Sequence, residues 1–572
     1  MRRLVWIVAG LSWVAGCSKK ESAPEVYVPR PKGTLTFSKH IAPIIFDQCA
    51  RCHRPGQAAP FSLLTYADAQ KRAKQIAEVT ANRYMPPWMP APGYVAFSGE
   101  RRLTTDQLGM IQQWFAEGAG EGNPADLPPA PKWTEGWQLG QPDLVVTMPA
   151  AYTLPAEGKD VYRNFVVPIP VSTPRYVRAV EFNPGNWKVA HHAFFRFDRS
   201  GDSRAADERD AEVGFGGIHT PQNAQAPAGH FLSWQPGKVF SQVPEGLSWR
   251  LEPGTDLVLQ LHLQPSGKAE LVQASMAFYF TDRPPTNAPS KISLNSYDID
   301  IPPGVSNHVV TESAVLPVDL QLIGVLPHAH YLATEVDGVA TLPDGSKKWL
   351  LKINKWDFNW QGDYRYAKPI FLPKGTTVSM KFTFDNTDQN PSNPNHPPKR
   401  VRYGLQTTDA MAELWLQVLT ANQKDEQALL AFNQSRIIKD TIAYNQYLLR
   451  ADPKDASAYN GLGKAMYFAE DFQAAWNHFQ TAVRLNAQLD EPHYFLALMY
   501  RRQNRLPEAK QEFLTVLRLN PKHSKSAGNL GVICLQEGNL ADAQNFFSQA
   551  LALNPDDDIA RQGLDDIARL RR

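Results

Sequence analysis

At 572 residues the chain exceeds what one hydrophobic core usually organises, so three or four domains are expected. An apolar share of 43% and a charged share of 20% are ordinary for globular protein, and a formal net charge of +2 sets up no field for a polyanion, which excludes nucleic acid as a partner class. Four cysteines are too few to staple a chain of this length, so packed cores must hold it together.

In chain order, Met1-Arg2-Arg3, an apolar run from Leu4 to Val14 and then Ala15-Gly16-Cys17 have the three regions of an export signal, with a run too short to span a bilayer. Val14-Ala15-Gly16-Cys17 resembles a bacterial lipobox. That resemblance implies a signal peptide over 1–16, lipidation of Cys17 and a flexible tether over 17–33. The expected location is the cell envelope, held to a membrane by the lipid and facing the periplasm. Ser18 is compatible with outer-membrane sorting, and ordinary secretion with Cys17 incidental is the alternative reading.

Proline-rich stretches at 26–33, 123–132 and 283–289 read as joints. Between the first two, Ala67 to Thr80 and Thr105 to Gly118 carry helical spacing of apolar residues, predicting a small α-helical domain over 34–125 and a linker over 126–142. From Asp143 to about Leu419, short alternating runs such as Asp256 to His262 with Gly/Pro turns predict β-sandwiches, placed at 143–285 and 286–422. Asp452-Pro453, Asn486-Ala487, Asn520-Pro521 and Asn554-Pro555 recur every 34 residues after helical patterns. That period resembles the tetratricopeptide repeat and predicts a helical solenoid over 423–572, whose concave face would take a protein partner or whose role would be to cap or dimerise the chain. The fold class expected is thus multidomain: a small α-helical domain, two antiparallel β-sandwiches and a C-terminal α-solenoid.

Cys49-Ala50-Arg51-Cys52-His53 is the C-x-x-C-H arrangement of c-type haem attachment. Two thiols one helical turn apart face the two vinyl groups, and the next residue puts an imidazole under the iron. A zinc half-site or a chance pair is the bland alternative. The other axial ligand is sought in Arg83 to Pro90, where Met85 is favoured over Met89, with His40 as a further competitor. The Met85-Pro86-Pro87-Trp88 string resembles the ligand loop of cytochrome c domains found beside copper monooxygenase modules. A thioether on the iron suits electron transfer.

Of fourteen histidines, five in the β-rich region fall into three contexts: His191-His192, His262 in Leu259-Gln260-Leu261-His262, and His328-Ala329-His330. Imidazoles two apart on a strand share a face and can chelate one ion, whereas adjacent ones diverge unless the strand twists or the rings use different nitrogens. A lone His262 or Met411 would more often be core.

Taken together these contexts resemble the copper type II, ascorbate-dependent monooxygenases, the family of peptidylglycine and dopamine hydroxylases, over about Asp143 to Leu419. The resemblance implies two copper ions, one on His191, His192 and His262 and the other on His328, His330 and Met411, the latter in Gln406-Thr407-Thr408-Asp409-Ala410-Met411. It further implies two jelly-roll-like sandwiches and hydroxylation of a C–H bond with molecular oxygen at the His328, His330 and Met411 ion, while the other relays an electron. With one c-type haem upstream, the expected activity is an oxygen-dependent monooxygenase acting on an organic substrate, with electrons from an external one-electron reductant entering through the haem. The alternatives are a non-catalytic copper-binding or copper-sensing lipoprotein, and a copper dehydrogenase exporting electrons through the haem. Leu326 stands where peptide-amidating members place a carboxylate-binding arginine, Trp415 replaces a tyrosine, and the family's disulfides are absent. These departures point away from a C-terminal peptide glycine and toward a less charged substrate.

Overall fold

The computed structural model describes residues 26–572 apart from 58, 133–135, 218, 219, 222, 239–245, 555, 556, 571 and 572. The export signal and Cys17 lie outside the described residues, so their reading stays with the sequence. Among the described residues no helix is long and apolar enough to cross a membrane. The chain divides into two units, Met1–Trp88 with Glu100–Gly136, and Met89–Gly99 with Trp137–Arg572.

The first unit is helical. A π-helical turn, Phe37–Ile41, runs into Ala42–Gln48, followed by Tyr66–Lys71, Ala73–Ala81 and Thr105–Ala116. The last helix starts on a capping box, with Gln107 N–H donating to the Thr104 hydroxyl and Thr104 N–H to the Gln107 side chain. The helix expected over 67–80 is broken at Arg72, which takes φ −118° and ψ 12° while its guanidinium lies 3.7 Å over the Phe61 ring. Phe37, Ile41, Ile45, Ile76, Ile111 and Trp114 form the core. The described part of the expected tether is packed, not free. Tyr27 donates to Gln113 at 2.6 Å, and its ring fills the space a side chain at Gly109 would need.

The second unit begins with Met89–Gly99, a segment expected to belong to the helical domain. It runs instead along two strands of the second sandwich, with bridges Pro90↔Ile353 and Phe97↔Tyr366 and with Ala91 N–H donating to the Lys352 carbonyl at 2.7 Å. Both strands it touches, Lys347–Ile353 and Tyr364–Leu372, are outermost in their sheets, so the segment satisfies backbone groups that would otherwise face solvent.

In the first sandwich a sheet ordered Leu144–Thr147, Ser275–Thr281, Arg175–Asn183, Trp249–Leu251 faces one ordered Phe215–Gly216, Val161–Pro168, Asp256–Leu263, Ala190–Asp198, Ser233–Trp234. Phe182, Met276 and Phe278 from one meet Phe165, Phe195 and Leu259 from the other in one core. The expected linker ends early, because Trp137 and Leu139 pack on Ala179 and Tyr279. In the second sandwich Ser290–Asn295, Ala412–Leu419, Leu320–Ala329 and Tyr364–Leu372 form one sheet, and His308–Val315, Thr377–Phe384, Ala333–Thr341 and Lys347–Ile353 the other. Alternation sends Leu414, Leu416 and Val418 into this core and Glu413, Trp415 and Gln417 to the opposite face.

The solenoid opens with a 29-residue helix, Gln423–Ala451, which packs on the second sandwich through Arg436 Nε to the Ser293 carbonyl and Tyr447 Oη to the Tyr403 carbonyl. Antiparallel pairs follow, Ala456–Phe468 with Phe472–Leu485, Asp490–Arg502 with Leu506–Leu519, and Ser524–Gln536 with Leu540–Leu553, before Asp558–Leu570. Their first helices start 34 residues apart, as the sequence period predicts. Gly463 and Gly531 occupy equivalent places because the rings of Phe479 and Phe547 lie within 2.6 Å of where a Cβ would stand.

Candidate metal centres

His191, His192 and His262 come together, each offering a ring nitrogen within 4.8 Å of the others. The backbone reason lies in the pairing of Ala190–Asp198 with Asp256–Leu263. Ala190 is opposite Leu263 and His192 opposite His262, so His191 is the extra residue of a β-bulge. On a regular strand His191 would point away from His192. The bulge turns it, and its Nδ1 lies 3.1 Å from His262 Nδ1.

The other ring nitrogens are occupied. His262 Nε2 donates to Asp160 Oδ2 at 2.7 Å, and His191 Nε2 lies 3.1 Å from Asn359 Oδ1. Each bond places the ring's hydrogen on Nε2 and leaves the Nδ1 lone pair toward the cluster. His192 Nδ1 is buried without a hydrogen-bond partner, which is costly in a protein interior. Burial, then the neighbouring His262, pushes His191 down to about 4 and His192 well below the usual histidine range, so both are neutral bases at pH 7. Tyr162 stacks on His262 with ring centroids 4.2 Å apart, and the His262 hydrogen bond holds the Asp160 carboxyl below its ordinary range.

His328 and His330 stand at the end of Leu320–Ala329, ring centroids 5.3 Å apart and planes perpendicular. His328 Nδ1 is 2.7 Å from Gln361 Oε1 and His330 Nδ1 is 3.2 Å from the Asp409 carbonyl. Here the hydrogens sit on Nδ1 and the lone pairs on Nε2, opposite to the first cluster. The Asp409 contact ties His330 to the loop that carries Met411. That loop is fixed by Gln406 N–H donating to the Asp409 carboxylate at 2.9 Å and by Ala410 N–H donating to the Arg402 carbonyl at 2.9 Å. Met411 is buried, at 8% exposure, and lines the same cavity as His192, His328 and His330. Burial, then His328, pushes His330 down to about 3. The first group therefore offers three imidazoles and the second two imidazoles and a thioether. This set fits a soft to borderline ion that changes oxidation state.

The shared cavity is about 310 Å³, within the range of small-molecule sites. Leu326 and Trp415 both line it and sit opposite each other in register. Glu413, opposite His328, is pushed up to about 7 by burial, with Lys291 opposing the shift.

In the helical unit, Cys49 and Cys52 are free thiols just past Ala42–Gln48, and His53 N–H donates to the Cys49 carbonyl at 3.0 Å, so the motif continues the helix as a turn. His53 Nδ1 is 3.2 Å from the Phe61 carbonyl, which leaves Nε2 as the available ligand atom. Burial pushes the Cys49 thiol up to about 12. Met85 follows Ala73–Ala81, its N–H donating to the Val79 carbonyl at 3.1 Å. Met89 belongs to the other unit, where its sulfur accepts from Asp357 N–H at 3.2 Å. His40 is engaged locally, its Nδ1 accepting from Thr36 N–H at 3.2 Å.

Sequence reasoning missed the residues that orient the rings. Asp160, Asn359 and Gln361 lie 102, 168 and 33 positions from the histidines they bind, with no local signal. It also missed Arg196, which two-residue periodicity from His192 and Phe194 would have placed on the histidine face.

A family profile described as Tetratricopeptide repeat matches residues 494–558. Among solved structures, the tetratricopeptide domain of Arabidopsis OM64 is 18% identical over 20% of this chain and 94% of its own length, with a TM-score of 0.19. Pseudomonas aeruginosa pilF is 22% identical over 26% of this chain and 67% of its own, with a TM-score of 0.23. No curated protein matches the chain. The 34-residue helical pairs and the matched profile together make the C-terminal part a tetratricopeptide array.

Proposed function

We propose that the chain is an exported haem- and copper-containing oxidoreductase, an oxygen-dependent monooxygenase that hydroxylates a C–H bond of an organic substrate. The observation that carries this reading is the pair of donor groups on one cavity. His192, gathered with His191 and His262 in the three-imidazole group, lines that cavity together with His328, His330 and Met411. Copper on such donors supplies one-electron redox chemistry and the activation of oxygen.

The chain's own residues do the rest. Asp160 and Asn359 hold His262 and His191 in the tautomer that leaves Nδ1 free, while Gln361 and the Asp409 carbonyl do the converse for His328 and His330. Phe194, Phe231, Trp234 and Phe358 line the cavity with apolar surface that excludes water around a bound substrate. Cys49, Cys52, His53 and Met85 would hold one haem, which would supply one-electron transfer on the same chain as sites that need two electrons per turnover. The array would bind a protein partner, and Cys17 would carry the lipid that holds the protein at the cell envelope.

The test is metal and haem analysis of the purified full chain, followed by stopped-flow mixing of its reduced form with oxygen. Two coppers and one haem per chain are expected, with copper falling on His262→Ala and on His328→Ala, and haem oxidation that depends on copper. A chain that retains less than one copper after reconstitution, or whose haem oxidises equally fast without it, overturns the reading. Oxygen-18 appearing in a product separates a monooxygenase from a dehydrogenase.

A further inference from the structure

The cavity has two chemically different ends. On Ala190–Asp198, His192, Phe194 and Arg196 share the face turned to the cavity, and all three line it. On the opposing wall His328 pairs with Glu413, Leu326 with Trp415, and two residues further on Gln417 pairs with Lys291. Arg196 is therefore four residues along its strand from His192. The Lys291–Gln417 row is four residues along from the Glu413 row that faces His328. At 3.3 Å per residue each offset is roughly 13 Å. The two walls run in the same sense, since His328 is among the groups acting on His192, and Arg196 among those acting on Lys291. One end of the cavity holds His192, His328, His330 and Met411, the other two cations, and Phe194, Leu326 and Trp415 lie between.

Arg196 is the unusual group. Its Nε is buried without a hydrogen-bond partner, and among the described residues no carboxylate perturbs it. Lys291 sits at the open side of the cavity with its ammonium 5.0 Å from the Trp415 ring centroid, and Glu413 is the acid that acts on it. A buried guanidinium N–H without a partner costs free energy, and the fork of donors an arginine presents is matched by a carboxylate. Leu326 removes positive charge next to the histidines, but Arg196 and Lys291 restore it on different strands at the far end.

We infer that Arg196 and Lys291 form an anion-binding end of the cavity, so that the substrate is an elongated organic carboxylate whose apolar body lies along Phe194, Leu326 and Trp415 toward His328, His330 and Met411. This rests on the proposed function only for the meaning of the histidine end. It replaces the less charged substrate expected from Leu326 and Trp415.

The experiment is calorimetric titration of the full chain with octanoate, octanol and octylammonium, on samples whose copper content is measured in parallel. Octanoate is expected to bind about tenfold or more tightly than the other two, as loss of a charge-assisted hydrogen bond requires. Arg196→Gln and Lys291→Gln should each remove most of that preference while leaving octanol unchanged, and Arg196→Lys should restore part of it. Equal binding of octanoate and octanol, no binding of octanoate, or an octanoate preference that survives both glutamine variants overturns the inference, the last because the carboxylate would then be held elsewhere. Discrimination in a chain that takes up no copper supports the anion end and removes the metal reading. Copper uptake without discrimination does the reverse.

Discussion

Asp160 is the residue whose removal most directly tests how the first cluster is held. Its Oδ2 accepts from His262 Nε2 at 2.7 Å, and His262 is 0% exposed, so this carboxylate is what fixes the hydrogen on that nitrogen. Asp160→Ala removes that fixed acceptor and frees the ring to turn or to move its hydrogen to Nδ1, the atom 3.1 Å from His191 Nδ1. Losing such an orienting partner weakens metal binding by about 10- to 100-fold, or about 1.4–2.7 kcal/mol. Asp160→Asn keeps an acceptor oxygen without the charge and should fall between wild type and alanine. The assay is competition between the protein and a Cu(I) chelator, with the His328, His330 and Met411 group in the same molecule as internal control. One class of site should weaken and the other hold. If Asp160→Ala changes affinity by less than about threefold, or weakens both classes equally in a chain whose near-ultraviolet dichroism is unchanged, then the carboxylate does not set the ring's tautomer.

Met85→Ala should lower the potential of a bound haem by removing a thioether, while Met89→Ala should leave the haem spectrum unaltered, since its sulfur is engaged with Asp357 N–H. Redox titration of both variants decides between them. Phe547→Ala, which empties the space between Gly531 and Gly563, should cost the C-terminal repeat about 3–5 kcal/mol in denaturant unfolding without altering copper content. His230 is pushed down to about 4 by burial and then by Arg365, against an ordinary 6.5. The unfolded chain therefore takes up a proton that the native state refuses. Stability is complete above about pH 6.5 and falls toward pH 4 by up to about 3 kcal/mol. His230→Gln should flatten that part of the pH profile of unfolding followed by tryptophan fluorescence.

Local features were the most legible in the sequence. The helical pairs of the array follow from a countable period. The strands of the β region follow from alternation, and the turn at Cys49 to His53 continues the preceding helix because nothing breaks it. Less legible was where one domain yields to the next. Pro-rich composition at 26–33 reads as a joint, but Gly109 opens a place for the Tyr27 ring and the segment packs. The prolines at 86, 87 and 90 likewise read as one loop. They instead straddle the passage from one unit to the other, because the edge strands around Ile353 and Tyr366 offer backbone partners to the Met89–Gly99 segment.

The histidine clusters show why motif and site differ. Adjacent histidines on a strand oppose each other, and no composition rule announces that His191 will be the extra residue of a bulge. The bulge arises from pairing with Asp256–Leu263, some seventy residues on, where His262 takes its place beside His192. The same holds for the ring nitrogens. Both clusters are imidazoles, yet Asp160 and Asn359 leave Nδ1 open in one while Gln361 and the Asp409 carbonyl leave Nε2 open in the other. The opposite tautomers leave different ring atoms open in the two groups. The arrangement constrains substitution. Asn359→Asp would keep an acceptor for His191 Nε2, whereas a lysine there would offer only donors and push the hydrogen to Nδ1, closing the cluster without touching a histidine.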